Sequence, residues 1–198
     1  MPVTPAGCNH CPGYTGDVNA DVSLVLDFLN TLDAEDDTDV LRSVADWHAW
    51  AHARALTPGA IDEAVRARTV LRDAAGAPAD DTAATPGAPK GGGDDGPRIP
   101  VDVAFRLSPS ADPQLVADDA VSAVFTAAMR LAVLDDWRRI KICPADDCLW
   151  AFYDESRNRS RTWCSMQVCG NRVKARTFRK RAGSSGPEDS TAGRPQPD

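Results

Sequence analysis

Apolar residues recur at helical spacing in four stretches of this chain and alternate with polar ones in a fifth. From Val22 to Leu32, the side chains of Val25, Phe28, Leu29 and Leu32 share one face, with Asp21 placed to cap the helix. An acidic turn from Asp33 to Asp39 leads into a second predicted helix, Leu41–Ala55. It puts Leu41, Val44, His48 and Ala51 on one side, with Trp47 and Trp50 beside them. Thr57-Pro58 reads as a third helix start, a hydroxyl cap followed by proline, and Ile61, Ala64, Val65 and Leu71 continue it to Gly76. Residues 76–98 contain no Leu, Ile, Val or aromatic side chain, so they bury too little to offset their ordering entropy and read as an unstructured insertion. Val101, Val103, Phe105 and Leu107 then alternate with Asp102, Ala104 and Arg106, the pattern of a half-buried strand whose partner is not evident. Asp112-Pro113 suggests the start of a fourth, Ala-rich helix with Val121, Val124, Phe125, Ala128 and Leu131 inward. The pattern predicts a mainly α N-terminal domain of four helices with one short β strand or hairpin, and shows no internal repeat.

Beyond residue 136 the pattern changes. Ile140 and Ile142 lead into a turn at Cys143-Pro144. Trp150, Phe152 and Tyr153 suit the first strand of a hairpin, with Asp154–Asn158 as its turn and Arg159–Trp163 as the return strand. Gly170-Asn171 ends the next loop, where Asn171 is placed to cap a basic helix over Arg172–Arg181. Trp137, Trp150 and Trp163 are candidates for a small local core, and Phe178 is expected to pack. The resulting organisation is a leader (1–20), a helical domain (21–136) with its insertion (76–98), a small module (137–182) and a polar tail (183–198).

Four cysteines give that module its chemistry. Cys143 and Cys148 form one pair; fifteen residues later, Cys164 and Cys169 repeat the same internal spacing. Two such pairs can wrap opposite sides of one ion. All-thiolate ligation favours a tetrahedral Zn²⁺ with no open position, so one structural zinc is expected in a treble-clef-like or ribbon-like finger. Two disulfides would need an oxidising compartment. The N-terminal residues lack the basic start, apolar stretch and small-residue cleavage site of a signal peptide, and no apolar run reaches the ~20 residues of a membrane span, so a cytoplasmic location is expected. Cys8, His10 and Cys11, with His48 and His52 four apart on one helix, are the components of a conceivable second metal site; an exposed leader and two ordinary helix histidines is the plainer reading.

Net charge is −7, but it is unevenly spread: residues 1–136 carry −13, residues 137–181 carry +8 and the tail carries −2. Arg157, Arg159 and Arg161 stand at period two, and on the hairpin reading the last two project from one strand face. Arg172, Arg176 and Arg179 form a helical stripe flanked by Lys174, Lys180 and Arg181. A basic patch beside a zinc core points to a polyanion, with DNA the expected partner. The same charge would serve RNA, and a zinc–thiolate interaction or redox-switch module is the third alternative. No catalytic constellation or phosphate-cradling glycine loop stands out, so an enzyme is not expected.

The run Trp163-Cys-Ser-Met-Gln-Val-Cys-Gly-Asn-Arg172-Val-Lys-Ala-Arg176 resembles the CGNR zinc finger, a family named for the residues standing here as Cys169-Gly170-Asn171-Arg172. Asp154–Arg161 fits that family's hairpin. Leu26-Asp-Phe-Leu-Asn-Thr-Leu32 is similar to the opening of the ABATE domain that usually precedes this finger, and Leu71-Arg72-Asp73-Ala74 resembles a later helix of it. The resemblance implies a bacterial, stress-linked transcription regulator, consistent with an Ala-, Arg- and Asp-rich composition. Its N-terminal domain would sense a small molecule, dimerise or contact a protein. The insertion at 76–98 and the Cys8–Cys11 cluster depart from the family pattern. One finger is a small reader, so a homodimer or a partner is expected to extend its site.

Overall fold

A computed structural model describes residues 17–76, 101, 103–108 and 111–184. The Cys8–Cys11 cluster, nearly all of the leader and the insertion, and most of the tail lie outside the described residues. Among those described are five α-helices and three antiparallel strand pairs. The chain divides into two compact units, one running to Cys164 and one starting at Ser165.

In the first unit, α1 (Val18–Leu29) starts earlier than its pattern suggested, because Asp17 is the cap and accepts the Asn19 N–H at 2.9 Å. Asp21 therefore lies inside the helix, where it is buried and held by the Arg130 guanidinium. The helix ends at Asn30, which leaves Leu32 to open β1 (Leu32–Asp33). The acidic turn folds β1 back on β2 (Thr38–Asp39), with the Asp33 carboxylate accepting the N–H groups of Glu35 and Asp36.

The second predicted helix is broken in two. A 3₁₀ turn, Val40–Arg42, is capped by Asp39, and α2 (Val44–His52) begins anew from Ser43, whose hydroxyl accepts the Asp46 N–H. This rotates the inner face. Trp47 and Ala51 are buried, whereas Val44 is 55% exposed and His48 is exposed. The indole has by far the larger apolar surface, so burying it in place of Val44 is the more favourable solution. Trp47 stacks on Trp50 with centroids 5.2 Å apart, and Phe28 packs against both rings.

Helix α3 (Ile61–Ala74) starts later than Thr57-Pro58, because Gly59 takes a positive φ of 69° that no helix can include. The Thr57 carbonyl instead accepts the Ala120 N–H at 2.7 Å, tying this turn to the start of α4 (Ala120–Val133). The buried face of α3 is Ala64, Ala67, Arg68, Leu71 and Arg72, while Val65 is exposed.

The expected fourth helix start at Asp112-Pro113 is strand. Residues of β4 (Ala111–Ala117) pair antiparallel with β3 (Val103–Ser108), Phe105 lying opposite Leu115, and this is the partner the sequence pattern left unassigned. The cap of α4 is Asp119, which accepts both the N–H and the hydroxyl of Ser122. Inward residues of α4 match expectation: Val121, Val124, Ala128 and Leu131 are buried and Phe125 is half-buried. The β3 strand is not half-buried, however. Residues 103–107 are exposed throughout, Phe105 by 69% and Leu107 by 74%.

A 3₁₀ turn (Trp137–Arg139) leads into β5 (Ile140–Ile142), which pairs antiparallel with β6 (Ala151–Tyr153). Ile140, Ile142 and Ala151 join the same hydrophobic cluster as Phe28, Trp47 and Val124. This small ladder is thus built into the helical core. In the second unit, a π-helical turn (Met166–Gly170) capped by Ser165 runs into α5 (Asn171–Ser184). Ser165, not Asn171, provides the cap; the Asn171 amide donates back to the Gln167 carbonyl. No helix among the described residues is long and apolar enough to cross a membrane.

Candidate metal centre

The first cysteine pair sits at the open end of the β5–β6 ladder. Cys143 follows β5 directly, and its N–H bonds the Trp150 carbonyl at 2.9 Å, closing a loop in which the Cys148 N–H meets the Ala145 carbonyl. Leu149 takes a positive φ of 53° to complete the turn. Two side chains from the helices clamp this loop. The Arg72 guanidinium donates to the carbonyls of Leu29 and Leu149, at 2.8 and 2.6 Å. Asn30 pairs with the backbone of Ala151 in both directions, as an added strand residue would. The segments Leu26–Leu32 and Leu71–Ala74, singled out in the sequence, therefore meet at the cysteine loop.

From β6 the chain passes through residues 154–163 without regular structure to Cys164, whose sulfur lies 3.5 Å from that of Cys148. All four sulfurs of Cys143, Cys148, Cys164 and Cys169 lie within 4.8 Å of one another, three of the residues buried and Cys164 half-buried. Zn–S bonds of about 2.3 Å place the sulfurs of a tetrahedron about 3.8 Å apart, so the cluster has the scale of a Cys₄ zinc site. No disulfide joins these four cysteines, since the 3.5 Å between the Cys148 and Cys164 sulfurs far exceeds the roughly 2.05 Å of an S–S bond. Burial pushes the Cys143 thiol up. That effect is outweighed by the backbone N–H groups of Cys164 and Ala145 and by the Cys164 and Cys148 thiols, leaving it below the usual thiol value. N–H groups aimed at sulfur favour the thiolate, the form that binds metal. The residues present fit one structural zinc ion.

The three tryptophans do not form the expected local core. Trp137 is half-buried against the main cluster, Trp163 is half-buried and Trp150 is 38% exposed. The buried apolar side chains of this region are instead Ile140, Ile142, Ala145, Ala151 and Phe152, of which Ile140, Ile142 and Ala151 belong to the helical core.

Nor is there a return strand at 159–163. β6 is already paired with β5, and Arg159 takes a positive φ of 51° that interrupts extended backbone. Arg159 and Arg161 therefore do not share a strand face. Arg159 binds Asp135 at 2.6 Å, which holds the Asp135 carboxyl below its ordinary value and lifts the guanidinium above its own. Arg161 donates to the carbonyls of Trp163 and Cys164 and lies over the Phe152 ring. Arg157 is exposed. On α5, Lys174, Arg176, Arg179 and Arg181 are exposed and Arg172 is half-buried, whereas the Lys180 side chain lies outside the described residues. Phe178, expected to pack, is 73% exposed.

His48 and His52 have ring centroids 6.1 Å apart and are both exposed; among the described residues the four cysteines are the one cluster suited to a metal. Sequence reasoning missed Lys141 and Asp154, whose contacts organise the 154–164 segment, and the buried Arg68 and Arg72. Asp154-Glu-Ser156 is a short Asx-turn pattern that could have flagged the first pair. Arg68 and Arg72 recur four apart on the helix face that carries Ala64 and Leu71, a polar intrusion into an apolar stripe.

Residues 139–182 match the CGNR zinc finger family, a span that holds all four cysteines and the Cys169–Arg172 signature. Comparison of the chain with curated proteins gave no match.

Proposed function

We propose that this zinc finger binds DNA and that the chain is a transcription regulator, with α5 as its principal contact element. The observation that carries the reading is the run of exposed cationic side chains on α5, Lys174, Arg176, Arg179 and Arg181, immediately after the last cysteine pair. Arginine matches both phosphate oxygens and the guanine edge in a bidentate way, and a helix is the element the major groove admits. The half-buried Arg172 adds to the helix, and exposed Arg157 is a separate candidate contact. Arg159 is bound to Asp135 and Arg161 to the carbonyls of Trp163 and Cys164, so each would exchange a partner to reach DNA. Exposed Phe178 adds an aromatic face that could stack on a base. On this reading the ABATE-like residues 21–136 serve sensing or dimerisation, the finger at 137–182 reads DNA, and the protein acts in the bacterial cytoplasm without catalysing a reaction.

The test uses the full chain, because Ile140, Ile142 and Ala151 belong to the helical core and a finger fragment would lose that support. Zinc-loaded protein is titrated with mixed duplex DNA across a salt series. Binding should weaken with salt at a log–log slope near −0.9 per phosphate contact, and Arg176→Ala or Arg179→Ala should each reduce the slope by about 0.9. No binding at low salt with one zinc per chain would refute the reading and favour an interaction module. Stronger binding to structured RNA in competition would move it to RNA.

A further inference from the structure

We infer that the pair of half-buried Lys141 and buried Asp154 is the positioning device of the metal centre, holding Cys164 beside the first cysteine pair independently of any nucleic-acid role. Residues 154–163 have no helix or strand to set their path, and Trp163 is their one large apolar side chain. Their geometry is set by polar contacts that radiate from two side chains. The Asp154 carboxylate, fully buried, accepts the Ser156 N–H on one oxygen and both Lys141 Nζ and the Arg161 N–H on the other, at 2.9, 2.6 and 2.9 Å. Lys141 uses its other two protons on the carbonyls of Arg159 and Arg161, at 2.7 and 3.0 Å. Arg161 then carries the path forward, donating to the carbonyls of Trp163 and Cys164.

A continuous chain of contacts thus runs from the rigid β5 strand through Asp154 and Arg161 to the third ligand. Apolar residues could fill the same volume. They could not satisfy the two carbonyls or the two N–H groups that the pair now serves, so the pair specifies a path and not merely a packing. Lys141 is also two residues from Cys143, so one strand sets the first ligand directly and the third through its side chain.

The test measures zinc affinity of the full chain by chelator competition, with Co²⁺ absorption reporting how many thiolates bind. Asp154→Asn keeps the carboxyl shape, Lys141→Met removes the donor, and Arg161→Leu cuts the last link at an exposed side chain. Each should lower zinc affinity by about 10–100-fold and reduce thiolate-to-Co²⁺ charge-transfer intensity. Asp119→Ala, which removes the cap of α4 at its Ser122 contacts, serves as the stability control and should move neither readout. The inference fails if the three variants stay within about threefold of the parent with unchanged Co²⁺ spectra, against the 10–100-fold expected. It fails equally if Asp119→Ala produces the same losses.

Discussion

Arg68→Met tests whether the buried ion pair on α3 holds the helical unit together. Arg68 meets both carboxylate oxygens of Asp39, at 2.5 and 2.8 Å, and also the Thr31 hydroxyl at 3.0 Å. The two side chains are 8% and 13% exposed, so solvent cannot replace a lost partner. Removing one member of such a pair costs about 3–5 kcal/mol, most of it from stranding the other charge. Methionine keeps the apolar stem, and Asp39 retains the Leu41 N–H, which places the expectation near the lower end, about 3 kcal/mol. In urea unfolding of the zinc-loaded chain, with a slope of about 1–3 kcal/mol/M, the midpoint should fall by about 1–3 M. Arg68→Met combined with Asp39→Asn should recover at least half of the loss, since no stranded charge remains. The pH dependence has a definite sign. Burial raises the Asp39 carboxyl, but the Arg68 hydrogen bond, the Leu41 N–H and the charges of Arg68 and Arg42 outweigh it and hold it below 3.8. A depressed folded-state value means that the contribution is present above the unfolded value and is lost as pH falls through the folded one. The gap between parent and Arg68→Met should be flat near neutrality and narrow below about pH 4. A single variant within about 1 kcal/mol of the parent, or a double variant as damaged as the two singles summed, would refute the argument.

Cys143→Ser and Cys169→Ser should each reduce bound zinc below one per chain under chelator competition, measured by elemental analysis; full retention would remove that residue from the ligand set. Trp47→Ala should cost about 3–5 kcal/mol in thermal unfolding. Trp47→Phe should cost less, since it keeps part of the packing and loses mainly the indole N–H bond to the Gly59 carbonyl. Gly59→Ala should cost about 1–2 kcal/mol through its left-handed backbone. An added Cβ would stand 3.5 Å from Asp119 Cβ, an ordinary contact, so a much larger loss would point to a clash that the geometry does not contain.

What the sequence alone determined was whatever depends on spacing along the chain. Equal cysteine intervals were sufficient to identify four ligands whose sulfurs gather within 4.8 Å, because metal coordination fixes both residue type and reach. Helical periodicity located the bodies of α1, α3 and α4, and the charge run after Cys169 foretold a basic helix. Competition between equivalent local signals was settled only by tertiary contacts. Asp17 and Asp21 could both cap α1, and the demand of Arg130 for a buried carboxylate drew Asp21 inside. Asp112 and Asp119 could both open α4, and pairing of 103–108 with 111–117 removed the first. Phe152 and Tyr153 could pair forwards or backwards; β5 took the pairing because Ile140 and Ile142 were already anchored in the core, which left 159–163 to be shaped by Lys141 and Asp154. Such choices depend on which distant partner removes a side chain from water at the least cost in unsatisfied polar groups. That quantity belongs to the assembled core and is not encoded in any local window of sequence.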